Sequence, residues 1–343
     1  MPTLHGYPLT YPSDAAQRGE LRELLMNWRD VARPDQLHSL RLGRRVDGLS
    51  PLAWNLDIGS LPGTCAIPLC EHFEWPAQRG RPSVFDTDLE GVHIKIVKPL
   101  QTSKPGDVRL SQVYLAMLDH PDASRVVLKI YQGSATKDLD SLYGQSELDW
   151  DAVLGRFHSE EWAYLKMVHL QGTVIPHIGG FFEVLLPHGE PAVALLMEYI
   201  EGMETSGSTG LPILARDQSN PERAQLLKPM MKALMAGQHA ILNCGVLWFD
   251  IAARNIKWLQ TTPAEWTSLR AILIDFDSAS PLYFAWDKFL VLGSVLATLN
   301  GDYGFSGEAI NAAVKDVLAS DQKLATVFRV TSERELELIL MEP

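Results

Sequence analysis

Cysteine is scarce in this sequence: three residues in 343, at Cys65, Cys70 and Cys244. An odd count this small cannot make a disulfide framework and fits a reducing compartment. Asn-x-Ser/Thr sequons are absent, which agrees with that reading. Blocks of Lys and Arg are absent as well, and acids outnumber bases 42 to 30, a net charge of −12. Such a surface repels phosphate backbones and anionic lipid, so neither nucleic acid nor membrane is expected as a partner. The longest apolar run, Phe289 to Leu299, is far shorter than the roughly 20 residues of a spanning helix. The opening residues lack the basic end and apolar core of a secretory signal, so a soluble, cytoplasmic protein is expected. No internal repeat or low-complexity tract occurs. Hydrophobic residues are present in ordinary measure, 46%, which excludes disorder. The length suits one large two-lobed domain or two modest ones.

Three regions differ in pattern. Residues 1–90 hold one helical stretch, Asp14 to Val31, with Leu21, Leu24, Leu25 and Trp28 at helical spacing. Scattered prolines follow with little periodicity, the signature of an extended arm laid on something else. Residues 91–200 are rich in β-branched runs: VHIKIV (92–97), VYLAML (113–118), RVVLKIY (125–131), FFEVLL (181–186) and AVALLMEYI (192–200). Between them SEEWAYLKMVHL (159–170) reads as a helix starting at Ser159, with Trp162, Leu165 and Val168 on its apolar face. Residues 201–343 begin with a Gly/Ser-rich loop. A helix (RAQLLKPMMKALMAGQHAILN) follows, containing Pro229 and ended by Gly245. Short strand-like pieces and the buried-helix candidate FLVLGSVLATL come next. The fold class is therefore α+β: a β-rich lobe (91–200), then a reduced α-helical lobe (201–343), preceded by the arm (1–90), with the joint near Glu198–Gly202.

Four pieces of this chain carry candidate chemistry, in a fixed order. VVLKIY puts Lys129 in a strand. EEWAYLKMV puts Glu160 and Glu161 on the next helix. VLWFDIAARNI sets Asp250 and Asn255 five apart, and ILIDFDSA puts Asp275 at a strand end. Each alone is ordinary: strand lysines and helix glutamates are usually solvated, and Asp-Phe-Asp after a strand is commonly a turn. Their conjunction, with elements of the right type between, resembles the protein-kinase-like superfamily over roughly residues 91–300. In the finer detail of WAYLKMVHLQGTVIP, LLMEYIEG and LIDFDSA it is similar to divergent fungal kinase-like proteins.

The resemblance implies a two-lobed protein-kinase-like fold and an ATP- and Mg²⁺-dependent phosphotransferase. In it Lys129 holds the α/β-phosphates and Glu161, preferred over Glu160, pairs with that lysine. Asp275 and Asn255 hold the metal, and Asp250 accepts or orients the acceptor's hydroxyl proton. The backbone at Glu198–Ile200 meets adenine. Ser103, Lys104 and Gly106 stand where the phosphate-binding loop belongs, though with one glycine instead of three.

The chain also departs from the pattern. Trp248 and Phe249 stand before Asp250 where His-Arg or His-Gly is usual, Ala252 replaces a lysine that Arg254 or Lys257 could supply, and Asp277 replaces a glycine. From Asp275 to Asp287, which resembles the family's buried helix aspartate, there are only 12 residues. That leaves no room for a long activation segment, so a small hydroxyl compound is a better acceptor than a protein. The loop 201–224 is a candidate lid. The departures support an alternative: a pseudokinase acting as a nucleotide-binding or scaffolding module, with residues 1–90 as its partner-binding or autoinhibitory element. A purely structural domain is the third reading. Cys65, Cys70 and His72 form no complete zinc set, and His239 reads as a packed structural histidine.

Overall fold

Branched aliphatic residues alternate along the segments between 91 and 200, and those segments form a sheet. The computed structural model describes residues 3–4, 7–8, 20, 23–28, 31, 37–46, 78–101, 111–120, 124–135, 149–201, 223–248, 250–260, 269–281 and 288–328. They fall into two units, one drawn from Met1–Ala53, Gly80–Tyr164 and His177–Tyr199, the other from Trp54–Arg79, Leu165–Pro176 and Ile200–Pro343. The expectations for Ser103, Lys104, Gly106, Phe249, Asp287, the Cys65–His72 cluster and most of the loop 201–224 lie outside the described residues.

The first unit begins with a two-residue ribbon, β1 (Thr3–Leu4) and β2 (Tyr7–Pro8). Its main sheet contains β3 (Ser39–Arg41), β4 (His93–Gln101), β5 (Ser111–Leu118), β6 (Arg125–Tyr131), β7 (Ile178–Leu185) and β8 (Pro191–Glu198), in the order β3-β4-β5-β6-β8-β7, all antiparallel. Side chains alternate between faces along a strand. On β6, Val126, Leu128 and Ile130 are fully buried in one core with Tyr114, Ala116, Leu118, Ala194 and Leu196. Lys129 and Tyr131 face the other way.

The arm supplies much of that core. Leu37, Leu40, Leu42, Val84, Phe85 and Leu89 all enter it, each stabilising the fold by about 1.5–3 kcal/mol relative to an exposed position. The arm also bridges the two edges of the sheet. Ser39–Arg41 pairs with β4. A few residues later, Gly43 N–H donates to the Glu183 carbonyl (2.7 Å), Glu183 N–H to the Arg44 carbonyl (2.9 Å) and Val46 N–H to the Phe181 carbonyl (2.9 Å), all on β7. Backbone groups that an open sheet would leave unpaired are satisfied in this way. Gly43 is required there, because a Cβ would lie 2.9 Å from the Glu183 oxygen.

Helix α1 (Asp149–Lys166) lies between β6 and β7 in sequence. It begins ten residues before Ser159, which corrects the expected start. Of the expected apolar face Trp162 is buried, but the other two residues are not. Leu165 and Val168 are 51% and 61% exposed, whereas Phe157, Glu160, Glu161 and Tyr164 are fully buried. The buried stripe thus follows i, i+3, i+4, i+7 spacing, but two of its members are acids.

The second unit is built on α2 (Arg223–Asn243), which carries Pro229 in its second turn and ends before Gly245 in the left-handed conformation (φ 73°). Leu226, Leu227, Met230, Met231, Leu234 and Met235 bury one side of it. Around it lie the ribbon β9 (Val246–Leu247) with β12 (Ser280–Pro281), the hairpin β10 (Ile256–Gln260) with β11 (Leu269–Leu273), and helices α3 (Lys288–Gly301), α4 (Gly307–Ser320) and α5 (Gln322–Phe328). The α+β class expected from the sequence, β-rich first and helical second, is the one observed. Among the described residues no helix is long and apolar enough to cross a membrane.

Candidate functional site

Lys129 is inward-facing on β6 and only 2% exposed. An isolated ammonium there would carry a desolvation penalty of several kcal/mol. It is paired: Nζ donates to Glu160 Oε2 at 2.6 Å, and the Glu160 side chain is fully buried. The Tyr131 ring lies 5.1 Å from Nζ, adding a cation–π contact. Phe157 packs on Tyr131 and on Phe181 (centroids 6.1 and 5.3 Å apart). The carboxylate that holds the lysine at 2.6 Å is therefore Glu160, where the resemblance favours Glu161. Successive helical residues project about 100° apart, so the two adjacent acids point in different directions. Glu161 is turned toward His158, with Oε2 3.8 Å from Nδ1.

The end of β6 is fixed from the opposite face of the sheet. Tyr114 Oη donates to Gln112, Gln112 Nε2 to Gln132 (3.1 Å), Gln132 Nε2 to Ser134 (3.1 Å), and Ser134 Oγ to the fully buried Glu190. Every donor in this chain points toward the carboxylate, an arrangement in which each bond polarises the next. Burial pushes the Tyr114 phenol up to about 12, so it stays a donor. Glu198, at the end of β8, accepts the His177 N–H on Oε2 (3.0 Å) and donates its own N–H to the His177 carbonyl (2.9 Å). Its side chain is thus held by the first unit, and the unit boundary falls between Tyr199 and Ile200.

The second unit assembles Asp250, Asn255 and Asp275 around one loop. Residues 250–255 end in a 3₁₀ turn, Ala253–Asn255. Asn255 is 2% exposed and spends both amide hydrogens on Asp250, one on its carbonyl (3.0 Å) and one on Oδ2 (2.8 Å). Its Oδ1 is left as an acceptor. Arg254 Nη2 reaches both carboxylate oxygens of Asp250, at 2.6 and 2.9 Å, so Arg254 is the cation placed beside Asp250. The loop is braced from α3 and the residues after it. Thr298 Oγ1 donates to the Ile251 carbonyl, and Asp302 Oδ2 accepts the Ala253 N–H at 2.7 Å. Trp258 donates to Tyr303 Oη at 2.8 Å. Neither Thr298 nor Asp302 is distinguishable in the sequence, because nothing in their spacing sets them apart from other polar residues at a helix end.

Asp275 follows β11 and stands next to this loop through the backbone: Ile274 N–H donates to the Asn255 carbonyl at 3.0 Å. It is the one described non-glycine residue with positive φ, 69°. Its carbonyl accepts the indole N–H of Trp248 at 2.9 Å. His239, on α2, is fully buried, and burial pushes its imidazole down to about 4, so it is neutral near pH 7. Cys244 is likewise pushed up to about 11 by burial, leaving an unreactive thiol.

No protein-family model and no curated protein matches the sequence. Solved structures similar to it include WaaP in complex with acyl carrier protein, 14% identical with a TM-score of 0.42, covering 71% of this chain and 90% of that one. The ROP18 kinase domain in complex with AMP-PNP and sucrose is 13% identical with a TM-score of 0.43, covering 74% and 82%.

Proposed function

We propose that this protein is a kinase-like phosphotransferase that uses ATP and Mg²⁺ and transfers phosphate to a small hydroxyl compound. The observation that carries the proposal is the Lys129–Glu160 pair. A lysine buried to this degree on a sheet face beside a buried carboxylate is a poor stabilising device, since apolar residues of the same volume would do as well. Its value lies in presenting a fixed positive charge to phosphate oxygens.

The donor set of the second unit suits a hard divalent cation. Asn255 Oδ1 and the Asp275 carboxylate are oxygen ligands of the type Mg²⁺ takes, and Asn255 is fixed through its amide hydrogens so that its oxygen is the free end. When bound, the metal supplies charge neutralisation on the transferring phosphate. Asp250 then orients the acceptor hydroxyl and takes its proton on a carboxylate oxygen, while Arg254 and Asn255 hold that carboxylate in one rotamer. The Glu198–Ile200 backbone meets the adenine. The short interval after Asp275 supports a small acceptor over a polypeptide.

The test is thermal unfolding of the full chain with Mg²⁺ and ATP, alone and together. At 100 times its dissociation constant a ligand adds about 2.7 kcal/mol, a rise of several degrees. No rise with both present refutes the proposal. The second reading, a nucleotide-binding pseudokinase, is favoured by Arg254 occupying both Asp250 oxygens. It predicts the same rise, lost in Asp275→Ala, with ATP turnover no higher than in Asp250→Asn.

A further inference from the structure

We propose that Trp248 is a positioning residue for Asp275: its indole N–H holds the Asp275 peptide in the left-handed conformation that directs the carboxylate. The inference rests on the reading of Asp275 as a metal ligand for its consequence, but not for its structural core. A non-glycine residue with φ of 69° is uncommon and persists where its surroundings over-determine it. Here three bonds do so. The preceding N–H, of Ile274, is tied to the Asn255 carbonyl (3.0 Å). The following turn is closed by Ala279 N–H on the Phe276 carbonyl (2.9 Å). Between them, the carbonyl of Asp275 itself is held by Trp248 Nε1 (2.9 Å).

The first two bonds are backbone to backbone and any sequence could make them. The third depends on one side chain. Trp248 is 1% exposed and its ring packs on that of Phe276, fully buried, with centroids 5.1 Å apart and planes at 52°. The ring contact fixes where the indole lies, and the hydrogen bond uses that placement to orient the peptide. Trp248 also stands two residues before Asp250, so one side chain links the start of the Asp250 loop to Asp275. An indole N–H donates only and does not titrate in water. The link is therefore insensitive to pH, which a histidine at the same position would not be. From the sequence alone Trp248 counts as a departure from the kinase-like pattern. In the structure it supplies a donor.

The experiment is a double-mutant cycle on the full chain by urea unfolding, with Trp248→Phe, Asp275→Gly and the pair. Glycine adopts positive φ freely, so a lock on that conformation has less to do in the Asp275→Gly background. The expected result is that Trp248→Phe shifts the unfolding constant markedly less there than in the wild type, by about tenfold or more. Equal shifts in both backgrounds overturn the proposal, because a ring that only fills space is worth the same in each. If Trp248→Phe does not fold, benzothienylalanine at 248, which keeps the shape and lacks the N–H, takes its place. A second readout is the Mg²⁺ concentration at which ATP binding, followed by calorimetry, is half-enhanced. The variant should need about ten- to a hundredfold more Mg²⁺, with metal-free ATP binding unchanged, and an unaltered Mg²⁺ requirement counts against the positioning role. Should the wild type bind neither Mg²⁺ nor ATP, the proposed function fails while the unfolding cycle still decides the lock.

Discussion

The two adjacent acids on α1 allow a sharp experiment. Glu160→Gln keeps the shape and one hydrogen-bond acceptor but removes the charge opposite Lys129, whose Nζ lies 2.6 Å from Oε2. Lys129 is 2% exposed and Glu160 fully buried, so water cannot take over the lost role. Breaking a buried pair from one side costs about 3–5 kcal/mol, and because the amide oxygen still accepts a bond, the lower end applies. A loss of about 3 kcal/mol in a unit of this size corresponds to a fall of roughly 6–12 °C in Tm. The informative step is the double replacement Lys129→Met/Glu160→Leu. Apolar residues of similar volume commonly restore or exceed the stability of a buried pair, and Tyr131, Phe157 and Phe181 already provide an aromatic wall. We expect the double variant to melt within a few degrees of the wild type, yet to gain no stability from Mg²⁺ and ATP. Glu161→Gln should retain the nucleotide response. Calorimetric melting with and without nucleotide decides the matter. If the double variant is as unstable as the single, or still responds to nucleotide, the pair is not what we hold it to be. If Glu161→Gln and not Glu160→Gln abolishes the response, the assignment of the partner is wrong.

Further outcomes follow from other parts of the structure. His239 has its folded pKa lowered to about 4 by burial, so between there and about 6.5 the unfolded chain binds the extra proton. Stability is therefore full above pH 6.5 and falls by up to ~3 kcal/mol as pH drops toward 4. Urea midpoints at pH 5 and 7 should differ less in His239→Gln than in the wild type. Gly43→Ala places a Cβ 2.9 Å from the Glu183 carbonyl oxygen and should destabilise by about 1–3 kcal/mol, seen as faster amide exchange at Gly43 and Val46. Asp302→Asn weakens the acceptor for the Ala253 N–H. If the protein is the enzyme proposed, it should lower kcat several-fold with little change in KM for ATP.

Much of the first unit can be read from its residues. The runs read at 92–97, 113–118, 125–131, 181–186 and 192–200 all fall on strands, and Lys129 is visible as a charge inside an apolar strand. The helix was harder. Hydrophobic periodicity places the buried face of α1 at Trp162, Leu165 and Val168, since it counts acids as exposed. The real stripe passes through Glu160 and Glu161, both fully buried, and Glu160 is met there by Lys129 of β6. For the same reason no sequence rule separates 160 from 161: the choice depends on where a strand 31 residues earlier lies. Strand β3 escapes notice because three residues, Ser39–Arg41, with one buried side chain carry too little pattern. They are a strand only by virtue of β4. In the second unit the Asp250–Asn255 spacing and Asp275 are legible, whereas Arg254, Thr298 and Asp302 acquire meaning only once the loop is folded.

The arm that bridges both edges of the sheet bears on how the chain is made. Ser39–Val46 leaves the ribosome first, but one of its partners, β7, is about 135 residues behind. At about 5–20 residues per second the early segment waits roughly 7–27 s before β7 emerges. β4 arrives earlier to pair with Leu40, but Leu37, Leu40 and Leu42 share their core with Phe182 and Val184 of β7, so that core stays incomplete and apolar surface stays open until β7 emerges.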